Sequence, residues 1–196
     1  MEPRELKVVA VGDPSKVELL FTLNDMPLNE HRDFENYTRE MTINNYKIHV
    51  WDTAGQAEYD RLRPLSYAGA NVILLVFDLS SKATFSNLSE KWMKEVAHYC
   101  KDAKILLIGI NLDLRQAGNP NHVTDQEAEQ FVKENKCTTY IPCSSRTCER
   151  IDKIWPSVIT AFKTEKESCI ICENEFIFFI YLFLHLDVLF LFQDLL

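Results

Sequence analysis

Two uninterrupted apolar runs, residues 72–77 (VILLVF) and 105–110 (ILLIGI), constrain the fold of this chain more than any other feature. Each run has the length of a strand, and continuous apolar strands are typical of parallel sheets that are covered on both faces. Between the runs, apolar side chains recur every fourth residue and predict a helix with one buried stripe. These side chains are Leu88, Trp92, Val96 and Cys100. The strand–helix–strand order indicates an α/β protein.

The amino-terminal part of the chain predicts a further strand, a helix and a hairpin. Residues 6–11 (LKVVAV) form a valine-rich run that favours a buried strand, and residues 17–23 suit a short helix. The runs at residues 38–43 and 46–51 are joined by an Asn-Asn pair. Because asparagine tolerates positive φ, this pair favours a tight hairpin turn.

The carboxyl-terminal half completes the predicted sheet. Thr124 and Glu127 form a capping box before a helix, residues 138–143 predict a short strand, and residues 151–162 carry a helical apolar pattern. Pro156 is expected to kink this last helix. Together the elements predict a mostly parallel six-stranded sheet with one antiparallel edge hairpin and helices on both faces. Ligands of such sheets bind beyond the carboxyl ends of the strands.

Charge and cysteine content argue against several functional classes. The 196-residue chain has a formal net charge of −8, and sequence-independent nucleic-acid binding requires a basic surface instead. No apolar stretch of signal-peptide length precedes the first strand, so we expect a cytoplasmic protein with reduced cysteines. No histidine lies near the pair Cys143 and Cys148, and the close cysteine pairs are not framed like a zinc finger, which argues against a zinc site. The cysteines are Cys100, Cys137, Cys143, Cys148, Cys169 and Cys172.

The most specific motif directly follows the strand predicted at residues 46–51. The chain reads WDTAGQ over residues 51–56 and YDRLRPLSY over residues 59–67. This string resembles switch II of Ras-superfamily small GTPases of the Rho/Rac type, and the resemblance extends over roughly residues 6–163. It implies a P-loop NTPase-like, Ras-like fold. We call residues 55–67 the switch II segment.

The resemblance assigns roles to the residues of this motif. It implies that Asp52 holds Mg²⁺ through a water and that the Gly55 amide contacts the γ-phosphate. It also implies that Gln56 orients the attacking water as the catalytic residue. Thr53 and Ala54, which lie between them, are expected to line the nucleotide.

By the same resemblance, residues 12–16 correspond to the phosphate loop G-x-x-x-x-G-K-[ST], and we call them the phosphate-loop segment. The segment is two residues short, Pro14 removes an amide, and Val17 stands where the Mg²⁺-binding Ser or Thr is expected. We therefore expect weakened binding of phosphate and Mg²⁺. We still expect the nucleotide to be contacted by Gly12, Asp13, Ser15 and Lys16.

The segment at residues 34–37 (FENY) resembles the F-D-N-Y of switch I. Arg32 falls nearest to the family's threonine, which ligates Mg²⁺ and senses the γ-phosphate. Asp33 offers an oxygen, but its charge would repel phosphate. Both side chains expected to bind Mg²⁺ directly are therefore replaced.

The loops after the two last strands resemble the base-recognition loops of the family. Asn111, Leu112 and Asp113 stand where the Rac form has K-L-D, and the resemblance implies that Asp113 selects guanine through its N1 and N2 groups. Ser144 and Ser145 correspond to the start of the S-A-L or S-A-K loop. Guanine recognition is thus better matched than phosphate or metal binding.

The chain divides by composition into a domain at residues 1–163 and a tail at residues 164–196. Residues 169–172 (CIIC) resemble a prenylation box with Cys169 as the lipidation candidate, but more residues follow. Residues 176–192 are apolar and close to the length of a membrane span. Three interpretations remain open: a marginal membrane anchor, a segment packed on the domain, or non-native sequence read past a true stop.

Three functional hypotheses follow from the resemblance. The first is a signalling switch that binds GDP/GTP and Mg²⁺ weakly and is linked to the actin cytoskeleton or membrane dynamics, at the cytoplasmic face of the plasma membrane. The second is a pseudo-GTPase that acts as a nucleotide-independent interaction module. The third is a locus with little functional product. Effectors and regulators are expected to contact Phe34, Tyr37, Tyr59, Arg61, Leu62 and Tyr67.

Overall fold

The computed structural model describes residues 3–23, 38–53 and 55–163. The strands are β1 (Arg4–Gly12), β2 (Thr38–Ile43), β3 (Tyr46–Asp52), β4 (Val72–Asp78), β5 (Lys104–Ile110) and β6 (Thr139–Pro142). The helices are α1 (Lys16–Leu23), α2 (Lys82–Asn87), α3 (Met93–Tyr99), α4 (Asp125–Glu134) and α5 (residues 154–163). The predicted order of elements is confirmed.

The six strands form one sheet in the order β2–β3–β1–β4–β5–β6. All neighbouring strands are parallel except β2 and β3, which pair antiparallel at the edge. The predicted fold class is therefore confirmed. Because the parallel strands share one direction, their carboxyl ends lie at one edge of the sheet, which we call the carboxyl edge. The loops that follow these ends begin after Gly12, Asp52, Asp78, Ile110 and Pro142.

The central strand β4 is buried from Val72 to Phe77, as its continuous apolar sequence predicts. Val9 and Val11 of β1 share a hydrophobic cluster with side chains of α3, of α4 and of the segment before α3. The apolar stripe predicted from residue 88 to residue 100 is buried in this cluster. The helix that carries it contains one π-helical stretch, Leu88–Trp92, between α2 and α3.

Two local predictions are confirmed in detail. Asn44 and Asn45 have φ angles of 49° and 64° in the turn between β2 and β3. The Thr124 side chain accepts a hydrogen bond from the Glu127 amide, and Glu127 bonds back to the Thr124 amide, so the capping box starts α4. Both features depend on a few adjacent residues, which is why the sequence reveals them.

The last helix does not need the expected kink in order to accommodate Pro156. A 3₁₀ turn, Ile151–Lys153, precedes α5, so Pro156 falls in the first turn of the α-helix. In that turn the amides have no intrahelical partner, and a proline costs the helix nothing there.

The chain divides into a compact unit of residues 1–159 and a second unit of residues 160–196. The sheet and its carboxyl edge belong to the first unit. Of the second unit, residues 160–163 are described, and they are helical. Within the residues the structure describes, no helix is both long and apolar enough to cross a membrane. The predictions for Cys169 and for residues 176–192 lie outside that part of the chain.

Candidate functional site

Asp113 and Ser144 come together where the loops after β5 and β6 meet. Asp113 lies in a 3₁₀ turn whose first amide, that of Leu112, donates to the Cys143 carbonyl at 3.0 Å and ties the two loops together. The Ser144 hydroxyl donates to Asp113 Oδ1 at 2.6 Å, and Arg146 Nε lies 3.5 Å from Oδ2. The carboxylate is thus held in one orientation and keeps 17% exposure. The structure brings the predicted base-selecting residues together.

Asn111 and Ser145 are placed differently from their expected roles at the base. The Asn111 amide donates to Asp78 Oδ2 at 2.7 Å, and its backbone adopts a left-handed conformation with φ 59°. The Ser145 hydroxyl is buried and has no hydrogen-bond partner among the described residues. The Ser145 carbonyl accepts from the Thr22 hydroxyl at 3.4 Å, which connects this loop to α1.

The phosphate-loop segment leads into α1 through a hydrogen-bonded turn. The amide of Lys16 donates to the Asp13 carbonyl at 3.1 Å, and the amide of Val17 donates to the Pro14 carbonyl at 3.3 Å. Pro14 has no amide hydrogen, and Ser15 is half-buried beside it. A phosphate cradle requires several amides that point at the anion. Here two of them already serve the turn that starts α1.

The side chain of Lys16 is buried against Asp52 at the end of β3. Its Nζ atom lies 3.3 Å from Asp52 Oδ1, and the lysine side chain is 1% exposed. Burial lowers the pKa of the Lys16 ammonium, and the Asp52 charge opposes that shift. Burial likewise raises the pKa of the Asp52 carboxyl, and Lys16 opposes that shift. Each group is therefore the main neutralising partner of the other.

The switch II segment lies directly against the phosphate-loop segment. A Cβ atom added at Gly55 would lie 2.6 Å from the Gly12 carbonyl oxygen and 3.1 Å from Pro14 N, so only glycine permits this approach. The Thr53 hydroxyl donates to the Ala10 carbonyl at 2.7 Å and is fully buried. Gln56 is half-buried, and Ala54 lies outside the described residues.

Asp13 has two partners that the sequence analysis did not identify. Asn87 Nδ2 donates to Asp13 Oδ2 at 2.9 Å, and the indole nitrogen of Trp92 donates to Asp13 Oδ1 at 3.0 Å. The apolar stripe predicted that Trp92 is a core residue, but it predicted no hydrogen-bond acceptor for the indole N–H group. A buried tryptophan usually has an acceptor for that group, and this was the available signal.

A second missed residue is Arg63, whose guanidinium is buried within the switch II segment. It donates to Glu95 Oε2 at 2.8 Å, to Asp60 Oδ1 at 2.6 Å and to the Gln56 carbonyl at 3.0 Å. Its centre also lies 4.9 Å from the ring centroid of Trp92. Arg63 therefore fastens the switch II segment to α3.

The predicted partner surface needs one correction. The Tyr67 side chain is only 2% exposed and its hydroxyl donates to Glu95 at 2.6 Å, so it supports the core instead of meeting a partner. Burial, and then the Glu95 carboxylate, raise the pKa of the Tyr67 hydroxyl. Arg61 is exposed, as are Leu62 at 53% and Leu65 at 74%. Of the other predicted contacts, Tyr59 is half-buried, whereas Phe34 and Tyr37 lie outside the described residues.

The groups at the carboxyl edge are of two kinds, a carboxylate at Asp113 and an ion pair between Lys16 and Asp52. Asp113 offers a partly exposed carboxylate, the acceptor that a guanine edge requires. In the phosphate-loop segment, the Lys16 side chain is paired with Asp52 and the Lys16 amide donates to the Asp13 carbonyl. Within the part of the chain that is described, no cluster of three or more His, Cys, Asp or Glu side chains is placed to hold a metal ion.

Replacing Trp92 by phenylalanine should lower the free energy of unfolding by about 1.5–3 kcal/mol, the usual contribution of a hydrogen bond to a charged group. The change removes the donor to Asp13 and keeps an aromatic ring in the core. Trp51→Phe is the matched control, because Trp51 is half-buried and contacts Lys7 through its ring face. We expect it to cost less than about 1 kcal/mol. Equal losses in chemical denaturation would show that the bond to Asp13 contributes nothing.

The sequence profile of the Ras family matches residues 7–164 of this chain. The match covers β1 from Lys7 onward, the other five strands and every loop at the carboxyl edge from Gly12 onward.

Several curated proteins are similar over most of their length. The chain is 41% identical to the "Ras-like GTP-binding protein RHO1" of Entamoeba histolytica, over 72% of this chain and 69% of that protein. It is 32% identical to the "Ras-like GTP-binding protein RhoL" of Drosophila melanogaster, over 85% and 94%. It is 37% identical to the "Rho-related protein racE" of Dictyostelium discoideum, over 79% and 75%.

Proposed function

Because the chain belongs to the Ras family as a Rho-like small GTPase domain, we propose that it binds guanine nucleotides weakly, with little contribution from Mg²⁺. It then acts in signalling mainly as a protein-interaction domain. The observation that supports this proposal is the contrast between the two halves of the site. The base-selecting carboxylate of Asp113 is held in place by Ser144, whereas Lys16 is paired with Asp52.

Slow hydrolysis follows from the same contrast. Phosphoryl transfer depends almost entirely on positioning and on charge neutralisation by the metal and the loop lysine. Val17 has no side-chain oxygen for Mg²⁺, and Arg32 stands where the second direct ligand is expected. Gln56 can still orient a water, but it acts on a phosphate that the remaining groups bind poorly. Hydrolysis is therefore slow or absent under this proposal.

Partner binding falls on the exposed part of the switch II segment. Arg61 and Leu62, from the predicted contacts, lie beside the exposed Leu65. The bonds of Arg63 to Glu95 and Asp60 hold the backbone beneath these side chains through contacts within the chain itself. This supports a nucleotide-independent interaction module over a conventional switch.

Cellular role and location are proposed at the level of the family. A Rho-like domain at residues 1–163 is expected to act on the actin cytoskeleton or on membrane dynamics, in the cytoplasm or at the cytoplasmic face of the plasma membrane. Lipidation at Cys169 in the tail at residues 164–196 would support the second location. Metabolic labelling with a prenyl analogue, with Cys169→Ser as the control, tests it.

Titration of the full chain with fluorescently labelled GDP and GTP, with and without Mg²⁺, tests the proposal. We expect weak binding whose Kd changes less than about threefold on chelation, which corresponds to about 0.7 kcal/mol. The reason is that neither direct Mg²⁺ ligand of the family is present. Tight binding that collapses when EDTA is added would overturn the proposal and establish a conventional Mg²⁺-dependent site. Competition by unlabelled ATP serves as the control for base selection.

A further inference from the structure

We propose that Asp52 competes with phosphate for Lys16, so that this site takes a guanine nucleoside about as well as it takes a nucleotide. The inference rests on the proposed weak guanine binding and names the ligand class and the residue responsible. It reverses the role that the family resemblance implies for Asp52. In place of a carboxylate that assists phosphate binding through Mg²⁺, the chain has one that prevents it.

The first support is the position of the lysine. Lys16 Nζ and Asp52 Oδ1 are 3.3 Å apart, and the lysine is 1% exposed. A buried ammonium requires a counter-charge, because an unpaired charge in the interior is strongly unfavourable. A phosphate that gains the lysine has to displace Asp52, whose side chain is 17% exposed but whose Oδ1 atom is buried and would lose its charged partner. The gain from the phosphate is therefore offset by the loss of the existing pair.

The second support is the backbone of the phosphate-loop segment. The amides of Lys16 and Val17 donate to the carbonyls of Asp13 and Pro14, and the Pro14 nitrogen has no hydrogen to donate. An anion would have to break these turns to recruit the amides. Lys16 is therefore already paired, and two of the amides at the end of the loop are already hydrogen-bonded.

The third support is the closeness of the two segments. The ideal Cβ position of Gly55 lies 2.6 Å from the Gly12 carbonyl oxygen and 3.1 Å from both Asp13 C and Pro14 N. The switch II backbone is thus packed onto the phosphate-loop backbone, and a phosphate between them requires the two to separate. Asp13 resists that separation, because Asn87 and Trp92 hold its carboxylate at 2.9 and 3.0 Å.

The loops that carry Asp113 and Ser144, where the base would bind, take no part in the contacts of Lys16 with Asp52 or of Gly55 with the phosphate-loop segment. Asp113 is held by Ser144 and Arg146, and its carboxylate is 17% exposed. A guanine ring can reach it without disturbing Lys16 or Asp52. Base binding and phosphate binding are therefore separable in this chain, and only the second is opposed by an internal group.

The test compares fluorescent guanosine and GDP as ligands of the full chain and its variants. For the wild type we expect Kd values within about threefold of each other. In Asp52→Asn the carboxylate charge is gone and Lys16 is free to bind phosphate. We expect GDP affinity to rise about tenfold, the effect of one charge-assisted hydrogen bond, while guanosine affinity stays unchanged. A conventional Mg²⁺ ligand predicts the opposite sign for this substitution.

Two further variants complete the experiment. Asp102→Asn removes an exposed carboxylate from the turn before β5 and should change neither affinity. The double variant Lys16→Met with Asp52→Asn leaves no unpaired charge, and it should keep guanosine binding while losing the gain for GDP. If Asp52→Asn alone does not fold, Asp52→Ser replaces it, since it also removes the carboxylate charge, and the same rise in GDP affinity is then the expected result.

Different outcomes overturn the inference and the proposed function. An Asp52→Asn protein that binds GDP no better than the wild type overturns the inference alone, provided that wild-type binding is weak and independent of Mg²⁺. A wild type that binds GDP more than about tenfold tighter than guanosine also overturns it. Tight Mg²⁺-dependent binding, or no binding of either ligand, overturns the proposed function and the inference with it.

Discussion

Replacing Arg63 by alanine is expected to lower the free energy of unfolding by about 3–5 kcal/mol. The guanidinium is fully buried and donates to Glu95, to Asp60 and to the Gln56 carbonyl. Its removal leaves the Glu95 carboxylate, which is 14% exposed, without its cationic partner. Breaking a buried pair on one side costs far more than the pair contributes as a whole, because the remaining charge stays desolvated.

Arg115→Ala is the matched control, since Arg115 also donates two hydrogen bonds to one carboxylate, that of Asp125. This pair is solvent-exposed on the Asp125 side, and exposed ion pairs contribute about 0.2–1 kcal/mol. Urea denaturation followed by circular dichroism compares the two variants with the wild type. Similar losses for both would show that burial of Arg63 has no special effect. A collapse of switch II order alone would appear as a changed m-value.

Arg63 also illustrates what the sequence could not reveal. In the sequence it is one of several charged residues in the string shared with Rho/Rac switch II, and an arginine is exposed by default. Its burial depends on Glu95 and Trp92, which are about thirty residues away and reach it only through the packing of α3. The same holds for Tyr67, whose hydroxyl meets the same glutamate.

The elements that were predicted correctly are those whose signal is local. The apolar runs at residues 72–77 and 105–110 required both faces to be covered, and β4 and β5 are central strands of the sheet. The Asn44–Asn45 turn and the Thr124 capping box involve neighbours within four residues. The prediction for Pro156 was wrong because the helix was expected to begin at residue 151, whereas α5 begins at residue 154. The position of a helix start is hard to predict to within a few residues, and it decides whether a proline lies inside the helix or in its first turn.

The functional site shows the same difference between features that the local sequence reveals and contacts that only the packing reveals. The resemblance located the loops of the carboxyl edge, because each follows a strand end in chain order. It did not reveal that Lys16 pairs with Asp52, since that contact joins the end of β3 to the start of α1. Motif residues indicate which groups are present at a site, and only the packing decides which of them remain free for a ligand.

Replacing Asp113 by asparagine is expected to reverse the base preference of the site. The carboxylate is the acceptor for the N1 and N2 groups of guanine in the proposed function, and an amide presents a donor there. Xanthine carries an oxygen in place of the N2 group, so it accepts the hydrogen bond that the amide donates. Sites built around such bonds discriminate strongly, because the wrong partner leaves buried groups unpaired. We expect guanosine affinity to fall at least about tenfold and xanthosine affinity to rise.

The fold should tolerate this substitution, because the asparagine carbonyl can still accept the Ser144 hydroxyl at the position of Oδ1. Asp102→Asn, at an exposed turn, is the control and should leave both affinities unchanged. Titration of each variant with labelled guanosine and xanthosine, alongside its thermal unfolding midpoint, makes the measurement. A variant that folds normally but shows no change in base preference would mean that Asp113 does not contact the base. Guanine selection by this chain would then have to arise from the loop around Ser145 instead.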